Sequence, residues 1–295
     1  MDFDDYQARA QKTDQFPGRD GKAIVIPLLG IVGEAGTLHS EYKKLLRDGD
    51  AHDHFHERVQ DELGDILWYI ANIAHKCDLP LSGIAQANIT KTGGRWHSDW
   101  QSEPQFFDDG YSESEQLPRR FRYTFVYETD EKGVARVVMR DADGTQLGDG
   151  LTDNAFDQDG YRFHDVLHLS HAALLGWSPV LRRLYEPKRK RRSRPQMDMN
   201  EDGGRAGVVE ETVAAAIFTY AEANNFLQGT ERVDWELLRF IKSITKKHEV
   251  EVRTEAEWEK AIVTGIRVWN EVKARDGGSV IGDLYERTLR FEPTS

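Results

Sequence analysis

Acidic residues recur at helical spacing on two neighbouring segments of the chain. Glu34 and Glu41 lie in the segment GEAGTLHSEYKK, and Glu62 and Asp65 lie in the segment DELGDILWY. Residues three or seven positions apart share one face of a helix, so each pair of carboxylates is expected to point to one side. Each pair also borders apolar residues, where a charge is costly unless it has a partner. A divalent cation is one such partner.

If the two helices pack antiparallel, the two carboxylate pairs can meet inside a helical bundle. A ligand set made only of oxygen atoms suits Mg²⁺ or Mn²⁺ rather than Zn²⁺. The alternative is a charged surface with ordinary ion pairs, such as Glu41 with Lys44. Gly33, Gly36 and Gly64 favour the metal site, because glycine is unfavourable inside a helix and indicates close helix approach or room for a bound group.

The same segments carry a resemblance to a known family. GEAG followed by SEYKK, then DELGDILWYIANIA and IAQANITKTGGRW, is similar to the MazG-like nucleoside triphosphate pyrophosphohydrolases. The resemblance implies an all-α bundle that hydrolyses an NTP or dNTP to the monophosphate and pyrophosphate with Mg²⁺, or with Mn²⁺ in its place. The family's metal motif, Glu-x-x-Glu on one helix and Glu-x-x-Asp on the next, falls on Glu34, Glu62 and Asp65.

The fourth position of that motif departs from the family. It is occupied by Thr37, which has no carboxylate, and Glu41 one turn further on is the candidate to replace it. Otherwise the site holds fewer ions. The implied chemistry is metal-assisted hydrolysis, in which cations clamp the triphosphate and an activated water attacks the α-phosphorus. Glu34, Glu41, Glu62 and Asp65 are therefore the candidate catalytic and metal-binding residues.

Substrate contacts are expected on the neighbouring segments. By resemblance, Asn88, Lys91 and Arg95 near the end of the third long helix are phosphate contacts, and Lys44 lies beside the acidic helix. The alternative for these residues is a solvated helix end. Trp68 is a candidate to stack on a base, although a tryptophan in such an apolar run is more often part of the core.

A second group of chemically active residues lies in the C-terminal half. FHDVLHLSH places histidines at i, i+4 and i+7 on one helix face, and a pair of glutamates interrupts an otherwise apolar helix further on. The candidates are His164, Asp165, His168, His171, Glu210 and Glu211. They predict either a metal or catalytic site, since histidine binds many transition metals, or a buried hydrogen-bond network that holds the helices together. The His-Asp pair resembles HD-type phosphohydrolases only weakly, because their upstream histidine and downstream aspartate are missing.

Three functional readings remain open from the sequence. The first is Mg²⁺-dependent NTP pyrophosphohydrolysis, the second a nucleotide-binding regulator with little turnover, and the third a metal-dependent phosphohydrolase centred on the histidine-rich region.

The histidine-rich region, about residues 160–275, is either a diverged copy of the first bundle or a C-terminal extension of the kind seen on some MazG-like proteins. Because MazG-like domains typically pair, we expect a homo-oligomer or an internal pseudo-dimer. The basic segment 188–194 is either a solvated loop or a lid over phosphates.

The elements that must position these residues are mainly α-helical. The apolar pattern of the first long helix predicts an inner side made of Ile24, Ile26, Leu28, Leu29, Ile31, Val32, Leu38 and Tyr42. FRYTFVYE and VARVVMR alternate as strands do, and DADG follows as a hairpin turn. We expect a MazG-like bundle and a second helical domain with a small antiparallel β insertion of two or three strands. The predicted boundaries are 1–97 for the first domain, 98–120 for a linker, 121–160 for the β insertion and 161–295 for the C-terminal helical domain.

Composition narrows the class of protein and its partners. The chain has 295 residues and a net charge of −12, which argues against general nucleic-acid binding. Its single cysteine, Cys77, fits a reducing compartment. The acidic N-terminus does not resemble a signal peptide, and no apolar run is expected to approach the length of a membrane span. The expected location is the cytoplasm, without a membrane partner.

Overall fold

The computed structural model describes residues 1–96, 106–129, 134–185 and 197–294. The chain divides into two compact units, Met1–Gly93 and Gly94–Ser295. The first unit is built from the helices α1 (Phe3–Ala10), α2 (Gly21–Asp48), α3 (Phe55–Lys76) and α4 (Leu81–Trp96). Two of these helices begin at an aspartate whose side chain accepts a backbone N–H, Asp2 for α1 and Asp20 for α2. Such caps satisfy N–H groups that have no partner within the helix.

Helices α2 and α3 pack against each other, and one glycine shows how closely. A Cβ atom at Gly30 would overlap the ring of Tyr69 on α3, so only glycine leaves room for that ring. The glycines next to the carboxylates behave differently: a Cβ atom at Gly33, Gly36 or Gly64 would meet nothing within 4 Å. Close helix approach is therefore the wrong reason for these three, and room for a bound group remains.

The first unit has a small core at one end of α3. Ala10, Ala71 and Leu81 are its buried apolar residues. Gln7 joins α1 to the start of α4, because its side chain accepts the N–H of Leu81 at 2.9 Å and donates to the carbonyl of Leu79 at 3.0 Å. These contacts fix α3, which carries two of the acidic candidates, against its neighbours.

One face of α2 is apolar and open to solvent. Val25, Leu28, Leu29 and Val32 fall at i, i+3, i+4 and i+7, and they are 48%, 47%, 66% and 69% exposed. The prediction that Leu28, Leu29, Val32 and Tyr42 belong to an inner side is wrong, because no element of the first unit covers the first three within the described residues and Tyr42 is 57% exposed.

The same helix affects the membrane expectation. The helical stretch Gly21–Ala51 is long and apolar enough to cross a membrane, judged by length and composition alone. The expectation that no apolar run approaches such a length is therefore wrong. The finding is weak support for a membrane span, since core helices and signal sequences meet the same test, although only 11% of this window is buried.

The second unit contains a five-stranded antiparallel sheet in the order β3-β2-β1-β4-β5. Its strands are β1 (Arg120–Thr129), β2 (Ala135–Arg140), β3 (Gln146–Leu151), β4 (Gly278–Asp283) and β5 (Thr288–Glu292). In the central pair, Phe121 of β1 lies opposite Gly282 of β4. The sheet is larger than the two or three strands expected, because β4 and β5 come from the C-terminus.

Helices cover the sheet and form the larger core. They are α5 (Asp165–Ser170), α6 (Pro179–Tyr185), α7 (Met197–Asn200), α8 (Gly204–Ala223), α9 (Trp235–Thr245) and α10 (Glu255–Ala274). A turn of π-helix, His171–Leu175, follows α5 and ends at Gly176, which has a φ of 68°. The core includes Trp177, Trp258 and Trp269, each at most 1% exposed. The prediction of a mainly α protein with a small antiparallel sheet is confirmed.

Residues 106–120 are packed rather than extended as a linker. Leu117 is 1% exposed and its N–H donates to the buried Asp108 carboxylate at 2.7 Å. Asp108 also pairs with Arg182 on α6 and Arg119. The composition of this stretch is polar, but Asp108 and Arg119 are paired, Leu117 is buried, and Phe106 and Phe107 pack against the core, so the linker expectation is wrong for 106–120. Residues 97–105 lie outside the described part.

Candidate functional site

The acidic residues of α2 and α3 come together in the first unit. Glu34 and Glu62 are half-buried and Asp65 is exposed. Burial raises the pKa of Glu62, and so do the Glu34 carboxyl, which lies within hydrogen-bonding range, and the charges of Asp65 and Glu41. Within the described residues, Oε2 of Glu62 is buried without a hydrogen-bond partner. Like charges therefore lie near one another, which antiparallel packing of the two helices would produce.

Glu41 occupies a different environment. It is 3% exposed, and its carboxylate lies 2.5 Å from Lys44 Nζ, 3.0 Å from His52 Nε2 and 3.5 Å from an Arg58 guanidinium nitrogen. The hydrogen bond from Lys44 is the main cause that lowers the pKa of Glu41. The ion pair with Lys44 that the sequence left as the alternative is therefore present. The partners Lys44, Arg58 and His52 make Glu41 a poor replacement for the missing carboxylate, and the contacts with His52 and Arg58 were not predicted.

Thr37, at the fourth position of the motif, offers no carboxylate to the cluster. Its side chain is exposed and its hydroxyl donates to the Gly33 carbonyl at 3.4 Å. The carboxylates that remain, Glu34, Glu62 and Asp65, are hard oxygen donors beside open space. Such a donor set fits a divalent cation of the Mg²⁺ or Mn²⁺ type.

The expected substrate contacts lie on α4 and α3. Asn88 and Lys91 are exposed on α4 and free of the core, while the side chain of Arg95 lies outside the described part. Trp68 is half-buried next to the small core, and its indole N–H donates to the hydroxyl of Thr13 at 2.8 Å. The core interpretation of Trp68 therefore fits better than base stacking. The basic segment 188–194 also lies outside the described residues.

In the second unit, Glu210 forms the centre of a buried polar group. It is 0% exposed and accepts the Ser178 hydroxyl at 3.0 Å, the Val180 N–H at 2.8 Å and His171 Nδ1 at 3.1 Å. Nδ1 of His168 lies 3.0 Å away. Burial would raise the pKa of Glu210, but the charge on His168 and the contacts with His168 and His171 lower this pKa to about 2. Burial lowers the pKa of His171. This inner group fits the predicted hydrogen-bond network.

An outer group lies on the other side of the same histidine. Nε2 of His168 is 3.3 Å from Glu211 Oε2, and Nε2 of His164 is 3.7 Å from the same oxygen and 3.8 Å from Asp165 Oδ1. Burial alone would lower the pKa of His168, but the charges of Glu210 and Glu211 raise it to about 10. In the described part of the chain, the outer and inner groups each bring three metal-ligating atoms within 4.8 Å of one another.

Within the described residues, the two groups whose ligand atoms converge closely enough for a metal ion, the outer and the inner group, both lie in the second unit. The acidic group of the first unit offers oxygen donors but is not one of these two, and the outer group offers mixed nitrogen and oxygen donors. All the residues predicted for the second region from the sequence, including the adjacent glutamates, meet in space. The signal that found them was the helical spacing of the histidines.

Comparison with known proteins agrees with the resemblance to the MazG-like family. Residues 102–295 match the family described as the MazG C-terminal domain. The chain is also 36% identical over 101 residues to the Gene 37 protein of Mycobacterium phage L5, a match that covers 32% of this chain and 89% of the phage protein. No solved structure matches the chain. The first match favours a C-terminal extension over a diverged copy of the bundle, and the chain belongs to the MazG family.

Proposed function

We propose that this protein is a nucleoside triphosphate pyrophosphohydrolase whose centre is formed by Glu34, Glu62 and Asp65. The observation that carries the proposal is the buried Oε2 of Glu62, which has no hydrogen-bond partner among the described residues and lies beside the Glu34 carboxyl. A carboxylate group in that position is costly unless a cation is bound. The family and the resemblance of the first segments support the activity.

The roles of the residues follow from their positions. Glu34 and Glu62, both half-buried, would hold the cation from the two helices, and the exposed Asp65 would complete the set on the solvent side. A bound Mg²⁺ or Mn²⁺ supplies charge neutralisation for the triphosphate and the leaving pyrophosphate. Lys91 and Asn88, exposed on α4, are the proposed phosphate contacts, and the nucleotide is the proposed substrate.

The test is pyrophosphate release from a panel of NTPs and dNTPs with Mg²⁺ and with Mn²⁺. Glu62→Gln and Glu34→Gln should lower the rate by at least a hundredfold, because each removes a charge that faces the cation. Asp61→Asn is the matched control, since Asp61 is an exposed neighbour of Glu62 on α3 and also loses one charge. Equal rates for Glu62→Gln and Asp61→Asn would contradict the proposed centre.

A second candidate function is a nucleotide-binding regulator with little turnover. Thr37 favours it, because this residue leaves the motif one carboxylate short and Glu41 is already in contact with Lys44, Arg58 and His52. The regulator predicts nucleotide binding by equilibrium dialysis without pyrophosphate release. Release by the unaltered protein that disappears in Glu62→Gln excludes it.

We also propose that a second copy of the chain covers the apolar face of α2. The exposed stripe of Val25, Leu28, Leu29 and Val32 supports this, and so does the acidic group on the same helix, which a lipid environment would disfavour. Leu29→Lys should lower the mass measured by light scattering after size exclusion from dimer to monomer. An unchanged mass would contradict pairing through this face.

The proposed location is the cytoplasm. The exposed free thiol of Cys77 suits a reducing compartment. Cell fractionation separates this proposal from the membrane alternative that the length of α2 raises. Recovery in the membrane pellet, resistant to washing with high salt, would contradict it.

A further inference from the structure

We propose that His164, His168 and Glu211, together with Asp165, form a binding site for a divalent transition-metal ion such as Zn²⁺ in the C-terminal domain. The site uses residues of the second unit and nitrogen as well as oxygen donors, whereas the centre proposed above uses carboxylates of the first unit. The orientation of each ring, the distances between the donor atoms and access from solvent support this metal site.

The ring of His164 is oriented by its own neighbourhood. Nδ1 lies 2.9 Å from the carbonyl oxygen of Tyr161, which can only accept, so Nδ1 carries the hydrogen. The ring also stacks on that of Tyr161, with centroids 4.4 Å apart. Nε2, on the other side of the ring, faces Glu211 Oε2 at 3.7 Å. A histidine whose other nitrogen donates to a backbone carbonyl is the usual form of a metal ligand.

A carboxylate lies beside Nδ1 of the His168 ring, on the side away from Glu211. This Nδ1 is 3.0 Å from Glu210 Oε1, and Nε2 of the same ring faces Glu211. The side chain is 1% exposed, yet neither ring nitrogen makes a hydrogen bond of good geometry with the described residues. A carboxylate on the far side of a ligating histidine is a recurrent arrangement of metal sites. A buried histidine whose ring nitrogens make no hydrogen bond with the described residues is suited to bind a metal ion.

The spacing of the donor atoms fits a metal ion better than an ion pair. Two ligands at about 2.0–2.1 Å from a tetrahedral ion lie about 3.3 Å apart, whereas charge-assisted hydrogen bonds span about 2.7–2.9 Å. Glu211 Oε2 is 3.3 Å from His168 Nε2 and 3.7 Å from His164 Nε2. Both distances exceed those of charge-assisted hydrogen bonds, and the shorter one matches the separation of two ligands of one metal ion. Imidazole and carboxylate donors together suit Zn²⁺ and neighbouring transition metals.

An ion can reach this group from one side. The side chain of Glu211 is 38% exposed, while those of His164 and Asp165 are 12% and 14% exposed. The inner group is different, because Glu210 already accepts Ser178 and Val180 and is fully buried. It follows that the inner group orients His168 and the outer group, on the side open to solvent, takes the ion.

The test uses the full-length chain with Glu62→Gln, so that the acidic group of the first unit is weakened. After dialysis against Zn²⁺ and then buffer, metal content is measured by mass spectrometry and affinity by calorimetry. We expect one retained ion per chain, and an affinity at least tenfold lower when Glu211→Gln or His164→Asn is added. His54→Ala is the control, because that histidine is 67% exposed in the first unit and should change nothing.

A second measurement covers the case in which a variant loses its fold. Co²⁺ is added to the Glu62→Gln protein, and visible absorption bands of a site with nitrogen ligands should appear and then diminish on titration with Zn²⁺. Circular dichroism compares the variants at each step. Equal Zn²⁺ affinity in the Glu211→Gln, His164→Asn and control proteins would overturn the site, and so would the absence of both retained Zn²⁺ and Co²⁺ bands. No pyrophosphate assay enters this test, so it does not depend on the proposed function.

Discussion

Replacing Lys76 with methionine should weaken the first unit at the end of α3. Nζ of Lys76 lies 2.5 Å from Asp14 Oδ2 and 2.9 Å from the carbonyl oxygen of Phe16. The two charged side chains are 2% and 8% exposed, so the pair is nearly buried. Methionine keeps most of the apolar stem but leaves the carboxylate of Asp14 without its partner.

The expected loss follows from that burial. Removing one partner of a buried ion pair costs about 3–5 kcal/mol, because the remaining charge is left uncompensated. We expect about 3 kcal/mol here, since the unit is small and water is close. Lys76→Met combined with Asp14→Asn should recover most of the loss, because two neutral groups replace a charge without a partner.

Hydrogen exchange followed by mass spectrometry measures this change within the first unit. Amides at the C-terminal end of α3 should exchange roughly a hundredfold faster in Lys76→Met, since each 1.36 kcal/mol is a factor of ten. Arg19→Met is the control, because Arg19 forms an exposed ion pair with Asp78 that should contribute less than about 1 kcal/mol. A change in Lys76→Met no larger than in Arg19→Met would refute the reasoning.

The effect should also depend on pH. Burial would raise the pKa of Asp14, but the hydrogen bond and charge of Lys76 outweigh it, and the net shift is downward. A carboxyl whose pKa is lowered on folding contributes stability above its ordinary value of about 3.9, and this contribution is lost as the pH falls through the folded value. The difference between the wild type and Lys76→Met should therefore be constant at neutral pH and shrink below about pH 4. A difference that grows on acidification would contradict the assignment.

Three further predictions concern the second unit. His164→Asn should leave pyrophosphate release within about twofold of wild type, since this residue lies outside the first unit; a complete loss would favour the reading that places the chemistry in the histidine-rich region. Asp108→Asn should destabilise the unit by about 3 kcal/mol in thermal denaturation, because it removes the buried carboxylate charge that pairs with Arg182 and Arg119, and an unchanged melting temperature would contradict this. Gly282→Ala should cost about 1–3 kcal/mol by the same assay, because its Cβ atom would overlap the ring of Phe121, and a neutral or stabilising effect would show that the ring can move.

Much of the local structure was predictable, because it depends on residues near one another in the chain. The helical spacing of the acidic residues predicted that Glu34 and Glu62 would face each other across two helices, and the raised pKa of Glu62 agrees with that geometry. The alternating apolar residues of Phe121–Glu128 predicted β1 within one residue at either end. Helices and strands of this kind are determined by periodicity, which a single sequence displays.

Other features depended on residues far apart and were not visible in advance. The burial of Glu41 needs His52 and Arg58, which the packing of α2 and α3 brings to it. The polar stretch 106–120 is held in place by Arg182, which lies more than sixty residues away. Composition alone could not reveal partners at that separation.

The sequence by itself determined which segments are helices or strands and which side chains share a face of each one. Only the tertiary structure decided that β1 lies between β2 and the C-terminal β4, and that the apolar stripe of α2 stays uncovered within the first unit. It also decided that His168 stands between two glutamates, one buried and one open to solvent. The physical reason is that spacing along one helix fixes a direction, whereas the partner found in that direction depends on how separate elements pack.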